Sequence, residues 1–306
     1  MPKIIVIGSI NTDMVIRTPQ IPIPGQTVIG NTFTISGGGK GANQAVAAAR
    51  LGGEVVLVAK IGEDSFGKQA LQNLIAENIR TNHITVDLAE PTGVAMIAVD
   101  DNGENIILVA PGANATLMPR HVQAAEKEIA AADIVLLQLE NPLETVLTAM
   151  KLAKKYKKTV ILNPAPAQAL STEMLQHIDI ITPNQLEALF LTDLFVEDKA
   201  NAMEAADWLH LKGVPVVVVT MAEQGAYVSS ENFKGVIAAH HVKKIIDTVA
   251  AGDTFSGALA VALAEKKSVP EAVHFANIAA SLSVTRQGTQ TAIPYRWEVD
   301  NLLITK

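Results

Sequence analysis

The chain has 306 residues, of which 49% are hydrophobic and 18% are charged, and its formal net charge is −7. This composition predicts a folded chain with a sizeable core and excludes a disordered one. The negative charge argues against a nucleic-acid binder that relies on phosphate contacts. The lack of Cys excludes disulfides, thiolate metal sites and a Cys nucleophile. No apolar run reaches the ~18 residues of a membrane helix, and the short apolar run at residues 3–7 predicts a strand and not a cleavable leader. We therefore expect no membrane partner and a soluble cytoplasmic protein.

The first predicted element is a β-branched strand at residues 3–7, and the polar residues Asn11 and Asp13 follow it closely. In a parallel sheet, ligands bind beyond the carboxyl ends of the strands, and amide and carboxylate groups suit the hydroxyls of a sugar. The alternative for these two residues is a local Asx turn. Residues 14–16 and 27–35 are rich in β-formers and predict short strands of a small separate sheet.

A glycine-rich loop at residues 36–41 precedes a predicted helix at 45–51. Loops of this kind allow a ligand to approach the backbone closely. The loop is not a Walker A motif, because Lys40 is followed by glycine where that motif has Ser or Thr. It also lacks the βαβ context of the dinucleotide fingerprint. We expect Asn43, in the first helical turn, to reach the same ligand as Asp13.

Two β-rich runs, at residues 93–99 and 105–109, flank an Asp-Asp-Asn-Gly sequence that is typical of a hairpin turn. This hairpin is expected to complete the small sheet that begins before the glycine-rich loop. A small sheet that lies over the strand ends of a larger one acts as a lid. We predict one α/β domain over residues 1–306, with a lid inserted from about 11–37 and 92–110.

From residue 133 onward, predicted strands and helices alternate regularly. This pattern predicts a three-layer αβα fold, in which helices cover both faces of a central, mostly parallel sheet. Polar residues such as Glu140 and Thr220 follow these strands directly, at the edge where a cleft is expected. Asn184 and Glu187 share one helix face, and Glu187 suits a hydrated Mg²⁺, which takes few carboxylates and several phosphate oxygens. The alternative for Glu187 is an ordinary surface residue.

A stretch late in the chain carries the clearest chemical signal. Residues 243–246 predict a strand, 250–252 a turn of small residues, and the Ala/Leu-rich run at 258–265 a helix. Backbone N–H groups at a helix start lack intrahelical acceptors and lie at the positive end of the dipole, so a turn without large side chains cradles an anion, phosphate above all. Asp253 stands at the mouth of that cradle, where it is placed to act as a base. The alternative is that Asp253 only caps the helix.

Two motifs give the chain its resemblance to a known family. They are Gly-Gly-Lys-Gly-Ala-Asn-Gln-Ala at 38–45 and Asp-Thr-Val-Ala-Ala-Gly-Asp-Thr-Phe-Ser-Gly at 247–257. Both resemble the signatures of the phosphofructokinase-B-type carbohydrate kinases, and the similarity covers nearly the whole chain. Further matching segments are 8–13, 139–142, 163–166, 182–187 and 284–288. The resemblance implies ATP-dependent phosphorylation of the 5-hydroxyl of D-ribose, with ATP, Mg²⁺ and K⁺ as cofactors.

The resemblance implies separate groups of residues for the sugar and for the nucleotide. The sugar-binding group is Asn11, Asp13, Gly39, Lys40, Asn43, Glu140 and Asp253. Asp253 is the implied base, and the N–H groups of Ala250, Ala251 and Gly252 are implied to stabilise the transferring phosphoryl group. The nucleotide-binding group is Asn184, Thr220, Met221, Ala222, Glu223, Gln224, Gly225, Gly252 and Asn277.

Two metal sites also follow from the resemblance. Glu187 would organise Mg²⁺ indirectly. The implied K⁺ ligands, mostly backbone carbonyls, are Asp247, Val249, Ser283, Arg286, Gly288 and Ala292. Three residues depart from the family pattern: Ala222 stands where the family has Gly, Asn277 where it has His, and Ala292 where a hydroxyl often completes the K⁺ shell.

The spacing of the motifs leaves other functions open. A kinase of the same fold for 2-deoxyribose, another sugar or a nucleoside is one alternative. A sugar-binding regulator without catalysis is a second, disfavoured by Asp253 and the intact turn before it. A Rossmann dehydrogenase is a third, disfavoured by the missing fingerprint. We also expect a homodimer, because the lid strands have free edges that pairing of two lids would cover.

Overall fold

A computed structural model describes residues 1–102 and 104–304 of the chain. Within these residues the strands, in chain order, are β1 (Lys3–Ile7), β2 (Asn11–Arg17), β3 (Thr32–Gly38), β4 (Glu54–Gly62), β5 (Arg80–Asp87), β6 (Gly93–Val99), β7 (Asn105–Ala110), β8 (Ile134–Leu137), β9 (Thr159–Leu162), β10 (Ile180–Ile181), β11 (Val216–Thr220), β12 (Ala226–Ser230) and β13 (Phe233–Ile237).

The helices connect these strands and pack against them. In the described residues the α-helices are α1 (Lys40–Arg50), α2 (Ser65–Ala76), α3 (Pro119–Ala124), α4 (Glu126–Ala131), α5 (Leu143–Lys155), α6 (Thr172–Gln176), α7 (Gln185–Thr192), α8 (Lys199–Leu211), α9 (Ala251–Ala264), α10 (Val269–Ser283) and α11 (Arg296–Ile304). Short 3-10 helices lie at Gly112–Thr116, Ala222–Gln224 and Gln290–Ala292. None of the helices in these ranges is long and apolar enough to cross a bilayer.

The central sheet of the described chain has nine strands in the order β13-β12-β11-β10-β9-β8-β1-β4-β5. Neighbours from β11 to β5 pair in parallel, and β12 pairs antiparallel with both β11 and β13. The carboxyl ends of the parallel strands therefore meet at one edge, where ligands bind in folds of this kind.

Both faces of the sheet are buried, because successive side chains of β1 pack into two different apolar cores. Ile4 and Val6 join one apolar core with α1, α9 and α10, whereas Ile5 and Ile7 join a second core with α5 and α8. Successive side chains of a strand point to opposite faces, so a strand that is apolar at every position needs helices on both sides. The predicted three-layer αβα fold is confirmed.

A second sheet, with strand order β3-β2-β6-β7, forms the region that we name the lid sheet. β2 pairs antiparallel with β3 and parallel with β6, and β6 pairs antiparallel with β7. The predicted turn between β6 and β7 includes Gly103, which lies outside the described residues. The sheet begins at Asn11, four residues after β1 ends, so it stands beside the carboxyl edge of the central sheet.

Two predicted strand segments are wrong. Residues 243–246 form no strand; instead, Ile246 N–H donates to the carbonyl of Val284 at 2.8 Å, so its hydrogen bond goes to the end of α10. Residues 27–31 likewise precede β3 and do not belong to it. Pro22 and Pro24 lie nearby, and the loop instead forms a turn in which Gln26 N–H donates to the carbonyl of Ile23.

Candidate active site

Asp253 is the third residue of α9, and the residue is only 7% exposed. Its Oδ2 accepts a hydrogen bond from Nδ2 of Asn43 at 2.9 Å, and its Oδ1 accepts one from Nε2 of Gln44 at 3.0 Å. Both donors lie on α1, which packs closely on α9: a Cβ built on Gly257 would lie 2.6 Å from Cβ of Ala47. The interpretation of Asp253 as an N-cap is wrong, because Ala250 occupies that position.

The start of α9 exposes backbone N–H groups to the cavity beside it. The first intrahelical bond at this end runs from Thr254 N–H to the carbonyl of Ala250 at 2.8 Å, and Ala251 N–H donates to Thr248 at 3.3 Å. Among the described residues, the N–H groups of Gly252 and Asp253 find no acceptor. Unpaired N–H groups at a helix start bind anions.

Backbone geometry supports an anion cradle at this position. Ala250 is held at φ 64°, a left-handed conformation that costs a non-glycine residue about 1–2 kcal/mol. Strain of this size persists where the surrounding structure enforces it, often at functional sites. A Cβ built on Gly252 would meet no atom within 4 Å, so protein packing does not require glycine here. The open space at Gly252 is therefore available to a ligand.

A cavity of about 200 Å³ lies at the carboxyl edge of the sheet, in front of these N–H groups. Its lining residues are Lys40, Asn163, Ala165, Thr182, Asn184, Glu187, Thr220, Thr248, Ala250, Gly252, Asp253, Phe255 and Ser256. The cavity thus joins Lys40 from the predicted sugar group, Asn184 and Thr220 from the nucleotide group, and Asp253. It also includes Ala250, Gly252 and Glu187, predicted for the phosphoryl group and Mg²⁺, whereas the remaining predicted site residues lie outside this lining.

Charges of both signs meet in the cavity. Burial lowers the pKa of Lys40, but the carboxylates of Asp253, Glu140, Glu187 and Asp13 outweigh this effect and raise the pKa overall. Lys40 is therefore a stable cation at neutral pH. Burial raises the pKa of Glu187, although the backbone N–H of Asn184 and the charge of Lys40 act in the opposite direction.

Glu187 is buried, so its interpretation as a surface residue is wrong. It forms a capping box with Asn184 at the start of α7: Asn184 Oδ1 accepts from Glu187 N–H at 2.8 Å, and Glu187 Oε2 accepts from Asn184 N–H at 2.9 Å. The carboxylate is thus held at the cavity wall. No three His, Asp or Glu side chains in the described ranges are arranged to hold a metal alone, so Mg²⁺ at Glu187 would need oxygens from a nucleotide.

Asn11 and Asp13 lie in β2 of the lid sheet, not in an Asx turn. Asn11 Oδ1 accepts from Nδ2 of Asn114 at 2.7 Å, which leaves the Asn11 NH₂ group free to donate. Asp13 Oδ2 accepts from Thr289 Oγ1 at 2.9 Å. Burial, with the nearby carboxylates of Glu140 and Asp253, raises the pKa of Asp13 to about 6, although the hydrogen bond from Thr289 acts against it.

Glu140 and Gly39 shape the start of α1. Glu140 Oε2 accepts from Lys40 N–H at 3.0 Å and from the hydroxyl of Ser9. Gly39 is the N-cap of α1 at φ 88°, and a Cβ there would lie 2.6 Å from the backbone nitrogen of Asn11. Only glycine accommodates this conformation and this close approach. The glycine-rich loop therefore brings the lid sheet, α1 and Glu140 together.

Most of the predicted nucleotide residues lie at the ends of β10 and β11, whereas Gly252 lies in α9 and Asn277 in α10. Asn184 and Thr220 form an isolated parallel bridge, and the residues from Ala222 to Gln224 form a 3-10 turn. Ala222 adopts φ 48°, so the position where the family has glycine does require a left-handed residue. Asn277 is buried, and its Nδ2 donates to the carbonyls of Ile237 and Ala238 at 2.8 and 3.1 Å. Its amide therefore holds the end of β13 in place.

Three of the predicted K⁺ residues, Asp247, Val249 and Gly288, come together at the carboxylate of Asp247. Its Oδ1 accepts from Val249 N–H at 3.0 Å and its Oδ2 accepts from Gly288 N–H at 3.1 Å, so two distant segments are tied together. Arg286 pairs with Glu298 and Ser283 Oγ donates to the carbonyl of Ala280, which leaves backbone carbonyls as the available ligands. Ala292 is fully buried and offers no hydroxyl. The residues present fit a cation bound mainly by carbonyl oxygens.

Two residues that line the cavity were absent from the sequence prediction. Ser256 and Thr182 line the cavity, and the buried hydroxyl of Ser256 has no hydrogen-bond partner in the described chain. Asn163 also lines it. The position of Asn163 directly after a strand predicts its place at the cleft edge, whereas Ser256 lies inside a helix and has no comparable sequence signal.

Comparison with known proteins agrees with this geometry. The sequence model of the family described as pfkB family carbohydrate kinase matches residues 1–296. A ribokinase from Haemophilus influenzae is 47% identical over 96% of this chain and 95% of its own length. A deoxyribokinase from Salmonella typhi is 37% identical over 95% of each chain.

A solved structure is also similar over nearly the full length. The structure of Arabidopsis thaliana ribokinase complexed with ribose and ATP has a TM-score of 0.92 and 32% identity, covering 99% of this chain and 98% of that one. Motifs, fold and relatives therefore agree, and the chain belongs to the pfkB family of carbohydrate kinases.

Proposed function

We propose that the protein is an ATP-dependent kinase that phosphorylates the 5-hydroxyl of D-ribose, giving D-ribose 5-phosphate and ADP. One observation carries the proposal: the buried Asp253 carboxylate and the unpaired N–H groups of Gly252 and Asp253 lie at the same cavity. The names of the relatives, a ribokinase at 47% identity and a ribokinase with ribose and ATP bound, support the choice of substrates.

The proposed chemistry is a single displacement. The sugar hydroxyl oxygen forms a bond to the γ-phosphorus, the bond from that phosphorus to the bridging oxygen of ADP breaks, and the hydroxyl proton passes to Asp253. The N–H groups at the start of α9 stabilise the negative charge of the transferring group. The ammonium of Lys40, which lines the same cavity, adds a positive charge.

The residues around Asp253 supply the binding groups for both substrates. We assign the sugar hydroxyls to Asn11, Asp13, Asn43 and Glu140, which offer amide donors and carboxylate acceptors. We assign the nucleotide to the ends of β10 and β11, including Asn184, Thr220 and the turn after it. The lid sheet would exclude water and so limit ATP hydrolysis.

We further propose that Mg²⁺ and K⁺ take part. Glu187 would hold Mg²⁺ through its water shell, where the ion neutralises phosphate charge when bound. The carbonyls of Asp247, Val249 and Gly288, tied together by the Asp247 carboxylate, would hold K⁺ beside α9. We place the reaction in the cytoplasm, where ATP is available.

Product identification tests the proposed function directly. The protein is incubated with ATP and, separately, with D-ribose, 2-deoxyribose, other sugars and nucleosides, and the products are identified by ³¹P and ¹H NMR. We expect phosphorylation at the 5-hydroxyl of ribose. A higher kcat/KM for 2-deoxyribose would favour the alternative supported by the deoxyribokinase relative, and turnover of neither would contradict the proposal.

The raised pKa of Asp13 predicts that ribose affinity depends on pH. An ionised carboxylate accepts hydrogen bonds from sugar hydroxyls more strongly than a neutral one. Because the pKa of Asp13 in the ligand-free protein is about 6, ribose affinity should fall up to about tenfold as the pH decreases from about 7.5 to about 5. Calorimetric titration with ribose in the absence of nucleotide measures this change.

The same shift has a consequence for stability. Because the folded pKa of Asp13 exceeds its ordinary value of 3.8, its contribution to stability is present below that pH and is lost as the pH rises towards about 6.

The control for the binding experiment is Asp13→Asn, which should bind ribose weakly at every pH. A wild-type affinity that stays constant over the whole range would contradict the assignment of Asp13 to the sugar.

The outer face of the lid sheet is apolar, which supports the proposed homodimer. The register pairs Ile16 with Phe33 and Met96 with Leu108, so these side chains share one face, opposite Asp13. All four are exposed, Leu108 by 65%. A contiguous exposed apolar face of this kind is typical of an interface. Pairing of two lid sheets would bury it.

Replacement of Leu108 by Glu should therefore separate the dimer. The new carboxylate would be buried in the interface without a partner, which is unfavourable. Light scattering should give about twice the 32.4 kDa chain mass for the wild type and the single chain mass for Leu108→Glu. Leu211→Glu, at an exposed leucine of α8, is the matched control and should stay dimeric. A monomeric wild type at about 10 μM would contradict the dimer.

A further inference from the structure

We propose that Gln44 is a positioning residue that fixes the Asp253 carboxylate, and that Gln138 fixes the direction of the Gln44 amide. The proposal rests on the assigned role of Asp253 as the base. Gln44 is fully buried, with no exposed surface from which to reach a ligand. It therefore contacts no substrate, and any effect on catalysis must pass through Asp253.

The Gln44 amide bridges two groups at the carboxyl edge of the sheet. Its Nε2 donates to Asp253 Oδ1 at 3.0 Å and to Asn163 Oδ1 at 3.2 Å, which uses both hydrogens of the nitrogen. Asn163 is itself held, because its Nδ2 donates to the carbonyl of Thr182 at 3.3 Å. The donor that faces Asp253 is thus anchored to the neighbouring strand end.

Gln138 holds the other end of the Gln44 amide, the oxygen. It directly follows β8, is buried, and its Nε2 donates to Gln44 Oε1 at 2.6 Å. With this donor on one side and the oxygens of Asp253 and Asn163 on the other, Gln44 presents its oxygen to Gln138 and its nitrogen to Asp253. The reverse orientation would place the Gln44 oxygen against a carboxylate oxygen and leave buried groups unpaired, which is unfavourable.

The other oxygen of Asp253 is held in the same manner. Asn43 Nδ2 donates to Asp253 Oδ2 at 2.9 Å, and Gln290 Nε2 donates to Asn43 Oδ1 at 3.2 Å. Each carboxylate oxygen is therefore bound by an amide whose own oxygen is held by a glutamine. Two donors on two oxygens fix the plane of the carboxylate, and a displacement of about 1 Å in such a group costs about 100-fold in rate.

Three variants test the proposal: Gln44→Met, Gln138→Met and the double variant. Methionine keeps the length of glutamine but has no amide. We expect kcat to fall about 100-fold for Gln44→Met and about tenfold for Gln138→Met. The ribose KM should change less than about threefold, because neither residue contacts the sugar. The double variant should match Gln44→Met within about threefold, because Gln138 acts through Gln44.

The milder variant keeps the experiment decisive if Gln44→Met does not fold. The carbonyl oxygen of Gln138 has no partner among the described residues, so Gln138→Met removes a single hydrogen bond. Unchanged kcat in a folded Gln138→Met protein would overturn the proposal. So would losses that multiply in the double variant to about 1,000-fold, because independent effects multiply.

A structural measurement separates this proposal from the proposed function. If the wild type phosphorylates no sugar, the proposed function fails, but a crystal structure of Gln138→Met still reports on the positioning. We expect the Gln44 amide to be turned and the Asp253 carboxylate to be rotated in that structure. A wild-type arrangement of both side chains would overturn the proposal, whatever the activity.

Discussion

Replacement of Asp253 by Asn should lower kcat about 1,000-fold, within the 10²–10⁴-fold range of general base catalysis. Asparagine has nearly the same shape but cannot take the proton of the attacking hydroxyl. The KM values for ribose and ATP should change far less, because the remaining groups of both sites are untouched. A coupled assay that follows ADP release under steady-state conditions gives kcat and both KM values, and so shows which of them the substitution changes.

The matched control is Asp207→Asn, at an exposed aspartate of α8 that pairs with Lys234. It should leave kcat and both KM values unchanged. Thermal unfolding of both variants shows whether the fold persists. A folded Asp253→Asn protein with a kcat within about threefold of the wild type would refute the assignment of the base.

Replacement of Gly252 by Ala should lower kcat/KM about 100-fold without loss of stability. A Cβ at this position meets no protein atom within 4 Å, and alanine is favoured over glycine in a helix by about 1 kcal/mol. The free energy of unfolding should therefore stay constant or rise. The added methyl group lies where a phosphoryl group would approach the N–H groups, and loss of such a donor costs about 10²–10³ in rate.

Gly252→Val extends this test, because the larger side chain should reduce kcat/KM further. Calorimetry with ribose alone should give wild-type affinity for both variants, since Gly252 faces the transferring group in the proposed mechanism. Wild-type kcat/KM in a stable Gly252→Ala protein would show that phosphate does not approach this turn.

Most glycine sites in the fold lack the free space found at Gly252: a Cβ at Gly39, for example, would clash with the backbone.

The architecture was predictable from the sequence because it depends on local patterns. Regular alternation of strands and helices indicated the layered fold, and the free N–H groups at the start of α9 follow from small residues before a helix. The strand predicted at 243–246 is wrong because two isoleucines after two lysines do not specify a pairing partner; Ile246 bonds to Val284 at the end of α10.

The finer arrangement of the site was not predictable from local patterns, because its contacts join residues far apart in the chain. Gln44 lies 209 residues from Asp253, and Asp13 lies 276 residues from Thr289. Nothing in the sequence around Gln138 indicates that it would orient Gln44. Such contacts depend on the crossing of whole helices and strands, which composition and periodicity do not determine.

The most direct test of the proposed chemistry is a crystal structure with ribose and a non-hydrolysable ATP analogue bound. We expect an Asp253 carboxylate oxygen within about 2.6–3.2 Å of the ribose 5-hydroxyl. The γ-phosphate should lie about 3 Å from the N–H groups of Gly252 and Asp253. An Asp253 side chain turned away from the sugar, with the γ-phosphate remote from the start of α9, would contradict the mechanism.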